Sequence, residues 1–164
     1  MRNNILPARE HIFQIEIDYD RPLLQLIEVC QFSKVHPVID EQHFPHINSG
    51  VKRMEVVAFC FATESIPTDA VYGVFSKKRL TPSDIYSLLA LAEFSRSHSH
   101  ELFRNPDLLI AAFGQSLRGP CQGNFFPFIS SQRTGFRYLG LCRLNPEDKL
   151  VQGSIWFAGV REKA

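Results

Sequence analysis

The spacing of apolar residues changes near Asn105, and that change limits the folds open to this chain. Before it, segments of strand period and helix period alternate; after it, short apolar segments follow one another across turn-forming clusters. These later segments are "DLLIAAFGQ", "NFFPFIS", "FRYLGLCRL" and "LVQGSIWFAGVR". The first also fits a short buried helix, although its length favours a strand. Consecutive strands joined by short loops predict an antiparallel meander.

A strand followed by an amphipathic helix is predicted near the start of the chain. Apolar and polar side chains alternate over residues 11–17, as in a half-buried strand. The stretch "DYDRP" ends this strand, and Asp20 is expected to cap the next helix, with Pro22 in its first turn. The apolar face of that helix consists of Leu23, Leu26, Ile27 and Cys30.

Two further helices are predicted after the apolar strand "MEVVAFCFA". The segment "SIPTDAVYGVFSKKR" favours a short helix with Val71, Val74 and Phe75 facing inward. The segment "TPSDIYSLLALAEFS" has the strongest helical pattern, with Thr81 expected at the N-cap and Pro82 at the first helical position. Its core-facing residues are expected to be Ile85, Leu88, Leu89 and Ala92.

These patterns predict a single α+β domain over residues 11–164, preceded by an N-terminal tail at residues 1–10. The expected architecture is an antiparallel sheet of about five to six strands with two or three helices packed on one face. A chain of 164 residues buries roughly 70% of the surface that it exposes when unfolded. The core therefore requires neither a metal ion nor a disulfide to fold.

Composition excludes several classes of protein. The formal net charge of +1 gives no strong field for nucleic acid or anionic lipid. No segment approaches the length of a membrane-spanning helix, and the start "MRNNILPAREH" lacks the apolar core of a secretory signal. The four cysteines are far apart in sequence and form no CxxC pair: Cys30, Cys60, Cys121 and Cys142. The chain is expected to be a reduced, cytoplasmic protein.

Several short motifs resemble those of a family of small bacterial proteins without an assigned activity. They are "IEIDYDRPLLQLIEVCQF", "FP" at positions 44–45, "LLALAEF", "LIAAFGQ" and the closing "WFAGVRE". The resemblance covers about the whole chain and implies a bacterial origin and an α+β fold. It implies no activity, and the stretches "HPVIDEQ" and "SHSH" depart from the family pattern.

The stretch "HPVIDEQHFPH" holds His36, His43 and His46 and is the first candidate metal site. His43 and His46 have the spacing of a zinc-ligand pair. Pro45 lies between them and disfavours the regular helix on which such a pair converges. A solvated loop explains the stretch with fewer requirements, so the sequence predicts no metal and no cofactor, with His43 and His46 as the alternative metal ligands.

A second histidine-rich stretch, "SRSHSHELF", contains His98 and His100 directly after the strongest helix. Residues two apart face the same way only on a strand, which this segment is not expected to form. Histidines at a helix C-terminus interact favourably with the helix dipole. The segment is therefore interpreted as a polar helix end.

Clustered acids at the end of the first strand are the leading candidates for catalysis. Glu16, Asp18 and Asp20 fall on one side of an extended strand, where carboxylates could hold Mg²⁺ or act as acid and base. A polar strand face followed by a helix cap explains the same residues. Glu16 and Asp18 remain the catalytic candidates for the enzyme hypothesis.

Basic and aromatic residues alternate in the C-terminal segments. The arginines are Arg118, Arg133, Arg137 and Arg143, and the rings are Phe125, Phe126, Phe128, Phe136 and Tyr138. An exposed face of this composition could stack and bind single-stranded nucleic acid. Strand alternation sends most of the rings to the core, which disfavours that hypothesis. Arg118 and Arg137 are predicted as binding residues at the rim of the meander.

No catalytic set survives these comparisons, so the sequence favours a non-enzymatic binding or interaction protein whose partner is a protein or a small ligand. A small hydrolase-like enzyme, with or without a metal, is the first alternative. A single-stranded nucleic-acid binder is the second. No membrane partner is expected.

Overall fold

The computed structural model describes residues 5–118, 124–144, 150–152 and 155–163. Within these ranges the helices are α1 (Leu23–Cys30), α2 (Thr68–Lys77) and α3 (Ile85–Ser97), with a 3-10 helix at Glu101–Arg104. The strands are β1 (Arg9–Asp18), β2 (Lys34–Val35), β3 (Val51–Cys60), β4 (Ser65–Pro67), β5 (Thr81–Pro82), β6 (Leu109–Ala112), β7 (Leu117–Arg118), β8 (Asn124–Ser131), β9 (Arg137–Leu144), β10 (Leu150–Gln152) and β11 (Trp156–Glu162). The α+β class agrees with the pattern of the sequence.

The main sheet has nine strands among the described residues, and its pairing is mixed. Its order is β1-β3-β11-β6-β8-β9-β2, with β5 paired to β11 and β7 paired to β8. Strand β11 runs parallel to β6, and β2 runs parallel to β9. The prediction of a purely antiparallel sheet of about five to six strands is therefore too simple. The expected meander exists for β6, β8 and β9, whereas β11 returns to the centre between β3 and β6.

Apolar cores lie on both faces of the sheet, so the prediction of helices on one face only is wrong. On one face α1 and α3 pack against inward residues of β1 such as Phe13 and Ile17. On the other face α2 packs against Val57 and Phe59 of β3. Residues 56–60 of β3 are all buried, as expected for a central strand covered on both sides.

Helices α1 and α3 have N-terminal caps that the local sequence did not identify. Helix α3 begins at Ile85, because Thr81 and Pro82 form β5 against β11 instead of its first turn. Asp84 is its N-cap, and the Asp84 carboxylate accepts a hydrogen bond from the Ser87 amide at 2.8 Å. The predicted core-facing residues of α3 are confirmed as buried.

Asp20 does not cap α1. Its carboxylate accepts a hydrogen bond from the Gly50 amide at 2.9 Å and so ties the β1–α1 turn to the start of β3. The first turn of α1 is capped from another loop, where the Glu41 carboxylate accepts from the Leu23 amide at 2.8 Å. Glu41 lies 18 positions away, beyond the reach of a local capping rule.

None of the described helices is long and apolar enough to cross a membrane. Among the described residues, Cys30, Cys60 and Cys142 have free thiols, and Cys121 lies outside them. Burial raises the pKa of Cys30 to about 12 and that of Cys142 to about 11. These thiols are protonated at neutral pH and act as small core side chains.

Candidate functional site

A cavity of about 450 Å³ lies where α3, the 3-10 helix and the β8–β9 hairpin meet. This volume falls within the range of small-molecule sites, roughly 300–1,000 Å³. Four arginines line it: Arg96, Arg104, Arg133 and Arg137. Neutral polar groups come from Ser95, Asn105, Ser130, Ser131 and Gln132, and the apolar side chains are Phe32, Phe103, Pro106, Leu108 and Ile129.

The arginines reach the cavity from three different elements. Arg96 lies in the last turn of α3, and Arg104 ends the 3-10 helix that follows it. Arg133 lies in the turn of the β8–β9 hairpin, and Arg137 begins β9. Gly135, with a φ of +82°, closes this turn by donating its amide hydrogen to the Gln132 carbonyl at 2.9 Å.

Arg137 joins the ends of two helices. Its guanidinium donates to the Cys30 carbonyl of α1 at 2.5 Å and to the Ala92 carbonyl of α3 at 3.2 Å. It also donates to the Ser95 hydroxyl at 3.3 Å and lies over the Phe32 ring at 5.2 Å. Burial lowers the pKa of Arg137, and the nearby Arg96 lowers it further. The expected rim position is wrong: Arg137 is partly buried and holds two helices together.

Arg96 is bound in a similar way, whereas the other two arginines are not. Its guanidinium donates to the Val29 carbonyl at 2.5 Å and to the Gln31 side-chain oxygen at 2.7 Å. Arg104 donates to the Ser99 hydroxyl at 2.8 Å. Arg133 is exposed and has no hydrogen bond or ion pair with any described residue.

The described lining of this cavity carries no negatively charged side chain. None of the described residues that line it is an aspartate or a glutamate. The ion pairs found in the described parts of the chain all involve other cations. Arg96 and Arg137 lie close enough for their charges to repel. An anion placed here would relieve that repulsion.

The predicted acidic candidates lie elsewhere, on and beside the edge strand β1. The exposed Glu16 lies 3.9 Å from Arg53 of β3. Asp18 accepts a hydrogen bond from the Asp20 amide at 3.0 Å, so that it stabilises the turn after β1. These contacts give Asp18 and Asp20 structural roles, and the catalytic role of Glu16 and Asp18 stays a prediction.

The three histidines of the first histidine-rich stretch have separate partners. His36 accepts a hydrogen bond from the Val38 amide, and the His43 ring lies 2.7 Å from the Asp40 carboxylate. His46 lies edge-on to the Tyr86 ring, with centroids 6.1 Å apart. Nowhere in the described ranges do three or more histidine, cysteine or acidic side chains form a group suited to a metal ion.

His100 of the second stretch lies beside His11 of β1, and sequence reasoning missed this histidine pair. The His98 ring packs on Phe94 at 3.8 Å at the end of α3. His100 accepts a hydrogen bond from the Leu102 amide and caps the 3-10 helix. Its ring lies 4.8 Å from that of His11 on β1. Strand alternation places His11 on the inward face of β1, and this pattern could have indicated from the sequence that His11 is partly buried.

The pH dependence of stability is expected to follow from His11. Burial lowers the pKa of His11 from its usual 6.5, and His100 and Arg9 lower it further, while Glu101 opposes them. The unfolded chain therefore takes up this proton at a higher pH than the folded chain. This contribution to stability is fully present above pH 6.5, the usual pKa of histidine, and is lost as the pH falls below that value. We expect a lower Tm at pH 5.5 than at pH 7.5.

The variant His11→Gln isolates this contribution. It is expected to show a smaller loss of Tm between these two pH values, because the proton-linked group is gone. The matched control is His98→Gln, which removes an exposed histidine. The interval lies above the usual pKa values of Asp40 and Glu55. Burial raises the pKa of Asp84, but this group is common to wild type and both variants and so does not affect the comparison. An equal pH dependence in wild type and His11→Gln would refute the assignment.

The predicted Arg and Phe constellation is divided by the fold. Arg133 and Arg137 reach the cavity, while the side chain of Arg118 lies outside the described residues. Arg143 lies on β9 opposite Phe125 and does not line the cavity. Of the five rings only Phe126 is buried, whereas Phe125, Phe128 and Tyr138 are half-buried and Phe136 is 37% exposed, so the expectation that most of them lie in the core is wrong. The binding role predicted for Arg118 and Arg137 stays a prediction.

Comparison of the chain with known proteins gives no match: no model of a protein family, no curated protein and no solved structure matches the chain. The resemblance to small bacterial proteins therefore stays a prediction. What the cavity binds has to be inferred from its own geometry.

Proposed function

We propose that the chain is a non-catalytic binding protein whose cavity accepts a small anionic ligand. The observation that carries this proposal is the meeting of four guanidinium groups in one cavity with no carboxylate among its described lining residues. Guanidinium forks match the oxygens of carboxylates and phosphates and form strong, charge-assisted hydrogen bonds with them. A concave site of one charge also raises the local concentration of ligands of opposite charge.

The lining residues favour binding over catalysis. General acid–base catalysis needs a group that titrates near neutral pH, such as histidine or a perturbed carboxyl group. The described lining contains arginine, serine, asparagine and glutamine as its polar residues, and none of these serves as a base at neutral pH. A serine nucleophile would need such a base beside it. The leading sequence hypothesis, a binding protein, is therefore the one this cavity supports.

The shape of the site favours a small ligand over nucleic acid. Single-stranded nucleic acid is bound along an extended basic groove with exposed rings on which bases stack. Here the arginines converge on one cavity, and none of the five aromatic rings of the C-terminal constellation is among its described lining residues. The formal net charge of the whole chain is also small, at +1. A compact anion fits these features better than a polyanion.

The proposal is tested by thermal unfolding with a panel of sodium salts at constant ionic strength. The probes are phosphate, phthalate and phenyl phosphate, with chloride as the reference. A ligand that binds only the folded chain raises its Tm. At least one probe is expected to raise the Tm of wild type, and the double variant Arg104→Gln/Arg133→Gln should lose most of the increase. Both arginines are exposed, so their replacement is expected to leave the fold intact.

The control is Arg53→Gln, which removes one positive charge from the opposite face of the sheet. Arg53 is exposed and pairs with Glu16. Its variant should retain the full increase in Tm. If no probe stabilises wild type, or if the double variant is stabilised as much as wild type, the cavity does not bind anions.

A further inference from the structure

We propose that the ligand is a phosphomonoester that carries a planar aromatic group. This inference rests on the proposed function and assigns the chemical class of the ligand. It follows from three properties of the cavity: the charge left uncompensated, the hydrogen-bond donors left without partners, and the apolar floor.

The charge left uncompensated is close to that of a dianion. Arg96 and Arg137 donate to carbonyls at the C-terminal end of α1, Val29 and Cys30. The C-terminus of a helix carries a partial negative charge, and it partly neutralises these two arginines. Arg104 has only a neutral hydroxyl as partner, and Arg133 has no partner among the described residues. About two positive charges thus remain, and a phosphomonoester carries about −1.5 to −2 at pH 7.

The donors are better matched to phosphate than to a carboxylate. Arg133 offers a complete guanidinium fork, and Arg104 offers the donors that Ser99 does not use. These two guanidinium groups come from different elements, the 3-10 helix and the turn of the β8–β9 hairpin, so together they can bind more than one oxygen of an anion. A phosphomonoester presents three terminal oxygens to such donors, whereas a carboxylate presents two in one plane.

The apolar residues of the cavity favour a ligand that carries an apolar group next to its anionic group. Leu108 and Ile129 are buried and, with Phe32 and Phe103, form the apolar part of the lining. Phe103 is held in place by Phe13, with ring centroids 5.4 Å apart. Inorganic phosphate alone would leave this surface in contact with water. A ligand that carries an aromatic ring can pack against this apolar surface, including Phe103, in offset or edge-to-face geometry and displace that water.

The experiment measures affinities by calorimetry at pH 7.5 and constant ionic strength. The probes are phenyl phosphate, inorganic phosphate, cyclohexyl phosphate and phthalate, an aromatic dianion without phosphorus. Phenyl phosphate is expected to bind about tenfold more tightly than each of the other three. Arg133→Gln should weaken it by about tenfold or more, since hydrogen bonds to charged groups are strong. Phe103→Leu should weaken phenyl phosphate more than inorganic phosphate.

Each deviation has a distinct meaning. Phthalate binding as tightly as phenyl phosphate would overturn the phosphate assignment, and inorganic or cyclohexyl phosphate binding as tightly would overturn the aromatic one. Either result leaves an anion-binding protein. If none of the probes binds, the proposed function fails together with the inference. Arg104→Gln serves as a second variant should Arg133→Gln alter the fold, and Arg53→Gln is the charge control.

Discussion

Leu88→Pro is expected to abolish the folded, soluble protein. Leu88 is fully buried in α3, and its amide donates to the Asp84 carbonyl at 3.1 Å. Proline removes this hydrogen bond and clashes with the same carbonyl, at a cost of about 3 kcal/mol or more. Loss of the buried leucine side chain adds about 2–5 kcal/mol. The sum, about 5–8 kcal/mol, equals the whole stability of a domain in the lower part of the typical range, about 5–15 kcal/mol.

Soluble yield and circular dichroism measure this result. Leu88→Met is the matched control, because it keeps the volume and the amide and should cost less than about 1.5 kcal/mol. Leu88→Ala should fall between the two and separates side-chain packing from the backbone effect. Soluble Leu88→Pro with an unchanged spectrum would mean that residues 85–97 do not form a core helix.

The helices could be predicted because their signals are local. The inward faces of α2 and α3 follow from apolar spacing within a few turns, and Val71 and Leu88 are buried as expected. The helix starts were less accessible. Pro82 has the residue type of a first helical position, but its segment pairs with β11, some 77 positions later. Long-range pairing overrides such local signals.

The sheet order could not be read from the sequence for the same reason. Periodicity identifies a strand and its buried face but does not name its neighbour. Strand β11 pairs with β3 on one side and with β6 on the other, so the last strand completes the centre of the sheet. Strand β3 is covered on both faces, and its continuous run of apolar residues is typical of such strands.

The candidate site was only half accessible to sequence reasoning. Arg133 and Arg137 stood out because they alternate with aromatic residues. Arg96 and Arg104 were overlooked, since they flank a helix end where basic residues are common. The partly buried state of Arg137 depends on carbonyls that lie 107 and 45 positions away. Such convergence is a property of the tertiary structure.

Gly114→Ala is expected to destabilise the protein by about 3 kcal/mol or more. A Cβ atom at Gly114 would lie 2.2 Å from the Pro82 carbonyl oxygen and 2.7 Å from that of Ser83. Both are backbone atoms, and Ser83 is fixed by the hydrogen bond from its amide to the Ala158 carbonyl at 3.0 Å. Overpacking costs about 1–3 kcal/mol, occasionally more. Displacement would also break the 2.8 Å hydrogen bond from the Gly114 amide to Ser83, worth about 1 kcal/mol.

Gly73→Ala is the matched control, with the opposite sign. A Cβ atom at Gly73 meets nothing within 4 Å, and the residue lies inside α2. Alanine there should stabilise the protein by about 0.5–1 kcal/mol, because glycine loses more backbone freedom on folding. In a chain of this size 1 kcal/mol shifts Tm by about 2–4 °C. Gly114→Ala should therefore lower Tm by about 6 °C or more while Gly73→Ala raises it slightly. An unchanged Tm for Gly114→Ala would contradict the close approach of the end of β6 to the β5–α3 junction, on which the placement of α3 beside the cavity depends.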